Sequence, residues 1–443
     1  MLSGTLCAAV LAALLVRSGV RRPLLPALCG AAAVACNTVS GRTTFGLGLL
    51  FGLAAVLVVH ESRGTPRARA LWAALLGVLA VLSSPVDGVF LLVAVPALVL
   101  SGRRWAALAL AAAPVAVVGA TSLLFPFYGV QPYSLGQLAL VLATALPAAL
   151  LAPRAWWVVR VGAWTYSLGN VLTLMIPSPV GSNVERLSLL FAGPVLLAAA
   201  MATRGRRAVL LWVSLAVALS WQAVQPLTDL ETSAPAAGWT QYARPLVSEL
   251  DRLGAGRGRI EVVDAASHVD TSTLAAHFEL ARGWNRQVDT VRNPLFYQGR
   301  LTPAGYHAWL LNWAVGYVVL PDSALDYASV AEGRIVTAGQ SWLRLVWHDA
   351  HYRVYRVADA VPLVSAPAAV LRAGTAELTV RVPRAGSTTV RVAWSPWLQV
   401  LGGGHGCLAP DGPWTRLTAD APGVYRIGAG YTLPRGTLCR AGG

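Results

Sequence analysis

Long apolar runs separated by short polar breaks fill residues 1–224, and each run is about the length of a membrane crossing. A helix rising about 1.5 Å per residue needs about 20 apolar residues to cross the hydrocarbon core. Ten segments qualify, near 1–16, 24–40, 43–60, 71–83, 87–101, 105–124, 135–152, 156–175, 186–202 and 208–224. The fourth and fifth are short. Around Ser83-Ser84-Pro85 they read as two tilted spans or as a re-entrant hairpin.

The pattern changes after residue 225. Residues 239–253 have helical periodicity, 259–264 (RIEVVD) read as a buried strand, 303–313 as a helix with Pro at its start, 316–320 as a strand and 324–338 as a helix. The runs 343–347 and 352–357 then form a strand pair. Beyond Pro362 the alternation has period two, at 376–382, 388–394, 414–417 and 424–427, between Gly and Pro turns. The expected fold is therefore a helical membrane domain (1–224), an α/β domain (225–360) and a β-sandwich-like domain (361–443), the last two outside the cytoplasm.

Composition sharpens this picture. The 443 residues are 56% hydrophobic and 12% charged, which excludes an ordinary cytosolic globular protein. All 35 basic residues are arginine, a sign of GC-rich coding rather than of a nucleic-acid-binding surface, and no nucleic-acid partner is expected. Residues 1–224 hold 15 arginines against three acidic residues, whereas the remainder holds 20 against 17. Arginines near span ends stay on the cytoplasmic side. Here Arg17, Arg21, Arg22, Arg63, Arg67, Arg69, Arg103, Arg104, Arg154, Arg160, Arg204, Arg206 and Arg207 fall at odd-numbered connections, and only Arg42 and Arg186 at even ones. The odd connections are thus cytoplasmic, and residues 225–443 face outward from the plasma membrane. This topology also puts the N-terminus outside, although the first span starts at Met1 with nothing to orient it. The reading is of a chain shortened at its beginning.

Cys7, Cys29 and Cys36 fall in spans as small apolar side chains. Cys407 and Cys439 fall in the outward part, where an oxidising medium favours a disulfide. Two thiols too far apart to bridge are the alternative. No phosphate-binding glycine loop, zinc motif or serine-hydrolase elbow is present, and no metal site or cofactor is indicated. Glu61, Asp87 and Glu185 sit at or near span ends, which argues against an ion-coupled carrier; Asp87 would lie deeper only if 71–101 re-enters.

The even connections carry the polar residues with chemistry to offer: Asn37 and Arg42, Asp87, Tyr128, Gln131 and Tyr133, and Asn183, Glu185 and Arg186. Two arginines at headgroup level suit a lipid phosphate, with the tyrosines and amides left for a sugar. Interfacial anchoring with an internal ion pair is the plainer reading of the same residues. Asp87 and Glu185 are the candidate catalytic carboxylates. In the outward part, the run 281–289 (ARGWNRQVD) suits binding a polar, planar or sugar face, with a loop wedged between domain and membrane as its plainer reading, and His268, Asp270, His277 and Glu279 read as an acid/base set whose plainer role is local capping.

The segments GRTTF, FPFYGVQP and NVERL, followed by RIEV, RGWNRQVD, NPLFY and YVVLPD, resemble a group of actinobacterial polytopic membrane proteins related to the GT-C glycosyltransferases. That resemblance implies transfer of a sugar from a polyprenyl-phosphate donor to a cell-envelope glycan at the outer face. It also implies acidic residues in a large loop after the first span, which this sequence lacks. The alternatives are a membrane transporter and a non-catalytic envelope-assembly protein.

Overall fold

The computed structural model describes residues 2–61, 64–234, 238–433 and 435–439. Met1 and Arg63, which enter the reading of the first span and of the arginine alternation, lie outside the described residues. The chain forms two compact units, Met1–Thr232 with Arg286–Val291, and Ser233–Asn285 with Arg292–Gly443.

The first unit contains α1 (Leu2–Arg17), α2 (Leu24–Val39), α3 (Thr43–His60), α4 (Pro66–Ser83), α5 (Pro85–Leu100), α6 (Arg104–Leu124), α7 (Leu135–Leu151), α8 (Trp157–Met175), α9 (Arg186–Ala202) and α10 (Arg206–Ser233). Each expected apolar run forms a helix, though not every one has the length of a crossing. Among the described residues, five helices are long and apolar enough to cross a membrane, and the pair α7 and α8, bent by 118° at its break, adds at most a sixth. Local breaks explain the shortfall. Ser84 takes the extended conformation that a following proline imposes, which parts α4 from α5 at one residue. Helices α1, α2 and α5 have 16 residues each, a rise of about 24 Å against a core of about 30 Å. Helix α10 is the opposite case: its 28 residues rise about 42 Å and carry it past the expected end at 224.

Small residues let the helices approach closely. Ala55 on α3, Ala73 and Ala80 on α4 and Ala109 on α6 share one buried cluster with Leu91 and Leu110. At one end of this unit four arginines are held by neighbours. Arg17 pairs with Glu61 at 2.8 Å, Arg103 donates to the Val59 carbonyl at 3.2 Å, and Arg67 and Arg104 lie over the Trp105 ring. Such a belt suits a membrane interface.

The second unit opens with α11 (Trp239–Arg252), whose Ala243, Leu246 and Leu250 are buried. A five-stranded sheet follows, built from β1 (Arg259–Val262), β2 (Glu279–Leu280), β3 (Val315–Pro321), β4 (Leu343–His348) and β5 (Tyr352–Val357) in the order β2-β1-β3-β5-β4. The first three pair in parallel and β5 joins them antiparallel. Helices α12 (Val269–Leu274), α14 (Pro303–Asn312) and α15 (Val330–Thr337) connect or flank these strands, whereas residues 286–291 of α13 (Arg286–Arg292) are counted with the first unit. Helix α15 starts later than the pattern suggests, because Asp326 Oδ1 accepts from the Ala328 N–H and holds a turn ahead of it.

Seven further strands complete the unit: β6 (Ala369–Ala373), β7 (Glu377–Val382), β8 (Gly386–Val390), β9 (Leu398–Gly402), β10 (Gly406–Asp411), β11 (Trp414–Ala419) and β12 (Gly423–Ala429). They make two antiparallel sheets, β6-β7-β12-β9 and β10-β11-β8. Val380, Leu398, Tyr425 and Ile427 of one share a core with Val390, Leu408 and Leu417 of the other, as in a sandwich. The last segment lies along β10: Leu408 N–H donates to Thr437 O at 2.7 Å and Cys439 N–H to Leu408 O at 3.0 Å. That register brings Cys407 and Cys439 to a Cα separation of 4.8 Å, and they form a disulfide.

Candidate functional site

The turn at Ser40, Gly41 and Arg42 ends α2 and starts α3. Gly41 sits at φ 71°, the left-handed conformation that closes a helix, and it sets Arg42 at the N-cap of α3. Another turn, Gly181–Glu185, delivers Glu185 and Arg186 to the start of α9. Gly181 (φ 40°) packs against the Gln131 carbonyl so tightly that a Cβ would collide with it. Both turns lie at the end of the helical unit opposite the arginine belt.

There Asn37, Ser40, Arg42, Arg186, Gln222 and Gln225 line a cavity of about 10 Å³. That is room for about one water. Arg42 Nη2 lies 3.4 Å from Asp229 Oδ2, and Gln225 Nε2 donates to Asp229 Oδ1 at 3.0 Å. Gln137 Nε2 donates to Glu185 Oε2 at 3.3 Å. The charges of Arg42, Asp87, Glu185 and Asp229 all act on Arg186. Yet among the described residues no carboxylate reaches ion-pair distance of its guanidinium, whose close neighbour is the Phe45 ring at 5.0 Å. Two other groups are buried without hydrogen-bond partners, Asp87 Oδ2 and Gln222 Oε1. Asp87 Oδ2 packs against Gly48, where a side chain would displace it.

The even connections therefore converge only in part. Asn37, Arg42 and Arg186 meet at the cavity, with Asp87 and Glu185 in electrostatic reach. Gln131 and Tyr133 are engaged elsewhere: Gln131 Nε2 donates to Ser182 Oγ at 3.0 Å, and Tyr133 OH to Asn170 Oδ1 at 2.8 Å. Tyr128 is 81% exposed, and Asn183 is half-buried in its turn, away from the cavity lining. The sequence reading missed Gln222, Gln225 and Asp229. Their spacing of three and four residues, continued past 224, places them on one helix face and was the available signal.

The run 281–289 is no single loop. Arg282 is buried in the core of the second unit, while 286–291 belong to the first, where Val130 N–H donates to Gln287 O at 2.8 Å and Gln287 Nε2 to Pro179 O at 2.6 Å. The acid/base set also disperses. His268 stacks on Trp284 and faces Asp326 at 3.7 Å, Asp270 accepts from Tyr352 OH at 2.6 Å, His277 is exposed and Glu279 lies on β2.

Residues 365–442 match a family model described as Domain of unknown function (DUF8823). No curated protein matches the chain. A solved structure of the arabinofuranosyltransferase AftD from Mycobacteria aligns over 89% of this chain and 37% of its own, with 17% identity and a TM-score of 0.41. This chain thus spans well under half of that protein, and at such a degree of likeness neither fold nor activity passes from one to the other.

Proposed function

We propose that the chain is a cytoplasmic-membrane protein that binds the phosphate of a polyprenyl-phosphate-linked sugar at the Arg42 and Arg186 end of its helical unit, on the outer face, and transfers the sugar to an envelope glycan. One observation carries this reading: a largely buried guanidinium, Arg186, without an ion-pair partner in the described residues, beside a second arginine and the unsatisfied amide oxygen of Gln222. A buried cation is costly unless an anion meets it, so a ligand anion is the natural completion. The distribution of arginines supports the outward orientation of this end.

The chemistry assigns each group a part. Arg42 and Arg186 hold the phosphate, and Asn37, Gln222 and Gln225 offer hydrogen bonds to sugar hydroxyls. An acceptor hydroxyl attacks the anomeric carbon, the bond from that carbon to the phosphate oxygen breaks, and polyprenyl phosphate leaves. Asp87 or Glu185 takes the hydroxyl proton. Because the cavity has room for only about one water, phosphate enters by displacing Asp229 from Arg42.

Binding of undecaprenyl phosphate to the full chain in nanodiscs tests the reading. Arg42→Ala with Arg186→Ala is expected to weaken binding at least tenfold, as loss of two charge-assisted contacts would (about 1.4 kcal/mol or more). In a deletion strain the same double variant should fail to restore the missing envelope glycan. Wild-type affinity or full rescue by that variant refutes the phosphate role, and substrate flux into vesicles would show a transporter instead.

A further inference from the structure

In the second unit, Glu261 on β1, Glu332 on α15 and Arg282, just after β2, meet in a closed compartment with side chains 0%, 0% and 1% exposed. Glu332 is fully served: Arg282 Nη2 donates to Oε2 at 2.8 Å and Tyr306 OH to Oε1 at 2.7 Å. Glu261 is not. Arg282 Nε stands 3.3 Å from its Oε1 but off the hydrogen-bonding direction, and neither oxygen accepts a hydrogen bond. The compartment thus holds two carboxyl groups and one guanidinium, whose Nη2 is directed at Glu332 and Ser329 and whose Nε faces Glu261 without a hydrogen bond. A second ionised carboxylate there would be shut off from solvent, would share its cation with Glu332 and would accept no hydrogen bond.

We infer that Glu261 is a buried proton-binding site, holding a proton at neutral pH and donating it to Glu332, so that folding of this unit takes up a proton. The other charged and titratable groups around it agree. Asp264, the next acidic residue along the chain from β1, is served by the Thr271 hydroxyl and by the charges of Arg282 and His268, with Asp326 opposing; Tyr306 remains a neutral donor. Burial first, then the nearby Glu332 carboxylate, push Glu261 well above the usual carboxylate range.

The sign follows from linkage. Above the ordinary glutamate range, near pH 4.3, the unfolded chain has lost this proton while the folded chain keeps it. Stability from Glu261 is complete below that range and falls tenfold in folding constant per pH unit up to the raised folded value.

The test uses the full chain in nanodiscs, with amide exchange of β1 and α15 reporting the stability of this unit and infrared absorption reporting protonated carboxyl groups. Glu261→Gln should keep wild-type protection at pH 7, lose one proton's worth of the alkaline decline and remove the carboxylic-acid carbonyl band. Glu332→Gln should lose protection, and Glu279→Gln, a control on β2, should retain the band. Overturning results are an unchanged band or pH slope in Glu261→Gln, or a loss of protection equal to that of Glu332→Gln. Failure of Glu261→Gln to fold also overturns it, because the amide offers the same donor as the neutral acid.

Discussion

Arg282 and Arg186 are both drawn inside their units, and their surroundings are opposite. Arg282 meets two carboxyl groups, donates to Ser329 Oγ at 2.6 Å and rests 3.8 Å from the Phe296 ring centre. Arg186 has the Phe45 ring, amide groups and a cavity, with acidic residues near enough to act on it but none in ion-pair contact. A fully compensated buried charge fixes structure, since removing one partner strands the other. An incompletely compensated one leaves its unmet interaction to a ligand. The difference separates a core element from a site more clearly than residue type does.

The sharpest way to break that contrast is to remove each cation. Arg282→Met leaves Glu332 without its cation and should destabilise the second unit by about 3 to 5 kcal/mol in denaturant unfolding. Arg186→Met strands no ion-pair partner and should cost under about 1 kcal/mol, while weakening phosphate binding. Equal losses of stability would end the distinction. Opening the disulfide with Cys407→Ser should cost the same unit roughly 3 to 4 kcal/mol, because the closed loop spans 32 residues. Reductant should reproduce the loss in the wild type and not in the variant, leaving phosphate binding unchanged in both.

Gly181→Ala perturbs the helical unit alone. The strained φ of 40° and the close Gln131 carbonyl predict a cost of about 1 to 3 kcal/mol, with Arg186 displaced and affinity lowered. Wild-type thermal stability and binding in that variant would show that the turn does not set the arginine. The smallest stability effect is expected at Asp229, whose partly exposed, 3.4 Å contact with Arg42 is worth less than about 1 kcal/mol. Asp229→Asn removes the competing anion, so phosphate should bind several-fold more tightly. Weaker binding would make Asp229 an anchor for Arg42 rather than an occupant of its place.

In the sandwich the inner strands β7, β11 and β12 were legible from the sequence, as was the edge strand β8 through the run 388–394. Strands β7, β11 and β12 show apolar and polar residues in alternation, because one face meets the sandwich core and both edges are paired. The strands that escaped notice, β6, β9 and β10, are all sheet edges. An edge strand has weaker demands on it, and β10 even tolerates Pro410. The helical runs were legible but their exact ends were not, since one residue such as Ser84 can end a helix without ending the apolar run. Arg282 looked like a loop residue because its partner Glu332 lies 50 positions away. The signal was on the other side: Glu261, an acidic residue between Ile260 and Val262 in a buried strand, demanded a partner from somewhere.

The assignment of Arg286–Val291 to the helical unit bears on the order in which the protein is made. Helices α1 to α10 leave the ribosome first, and domains generally fold in that order. The bonds from Val130 to Gln287 and from Gln287 to Pro179 nevertheless wait until residue 287 has been synthesised. By then the chain has already produced α11, β1, α12 and β2 of the other unit. The loops at 130 and 179 therefore reach their final state late, and a nascent chain arrested before 287 should show them open to protease while the helices behind them are already protected.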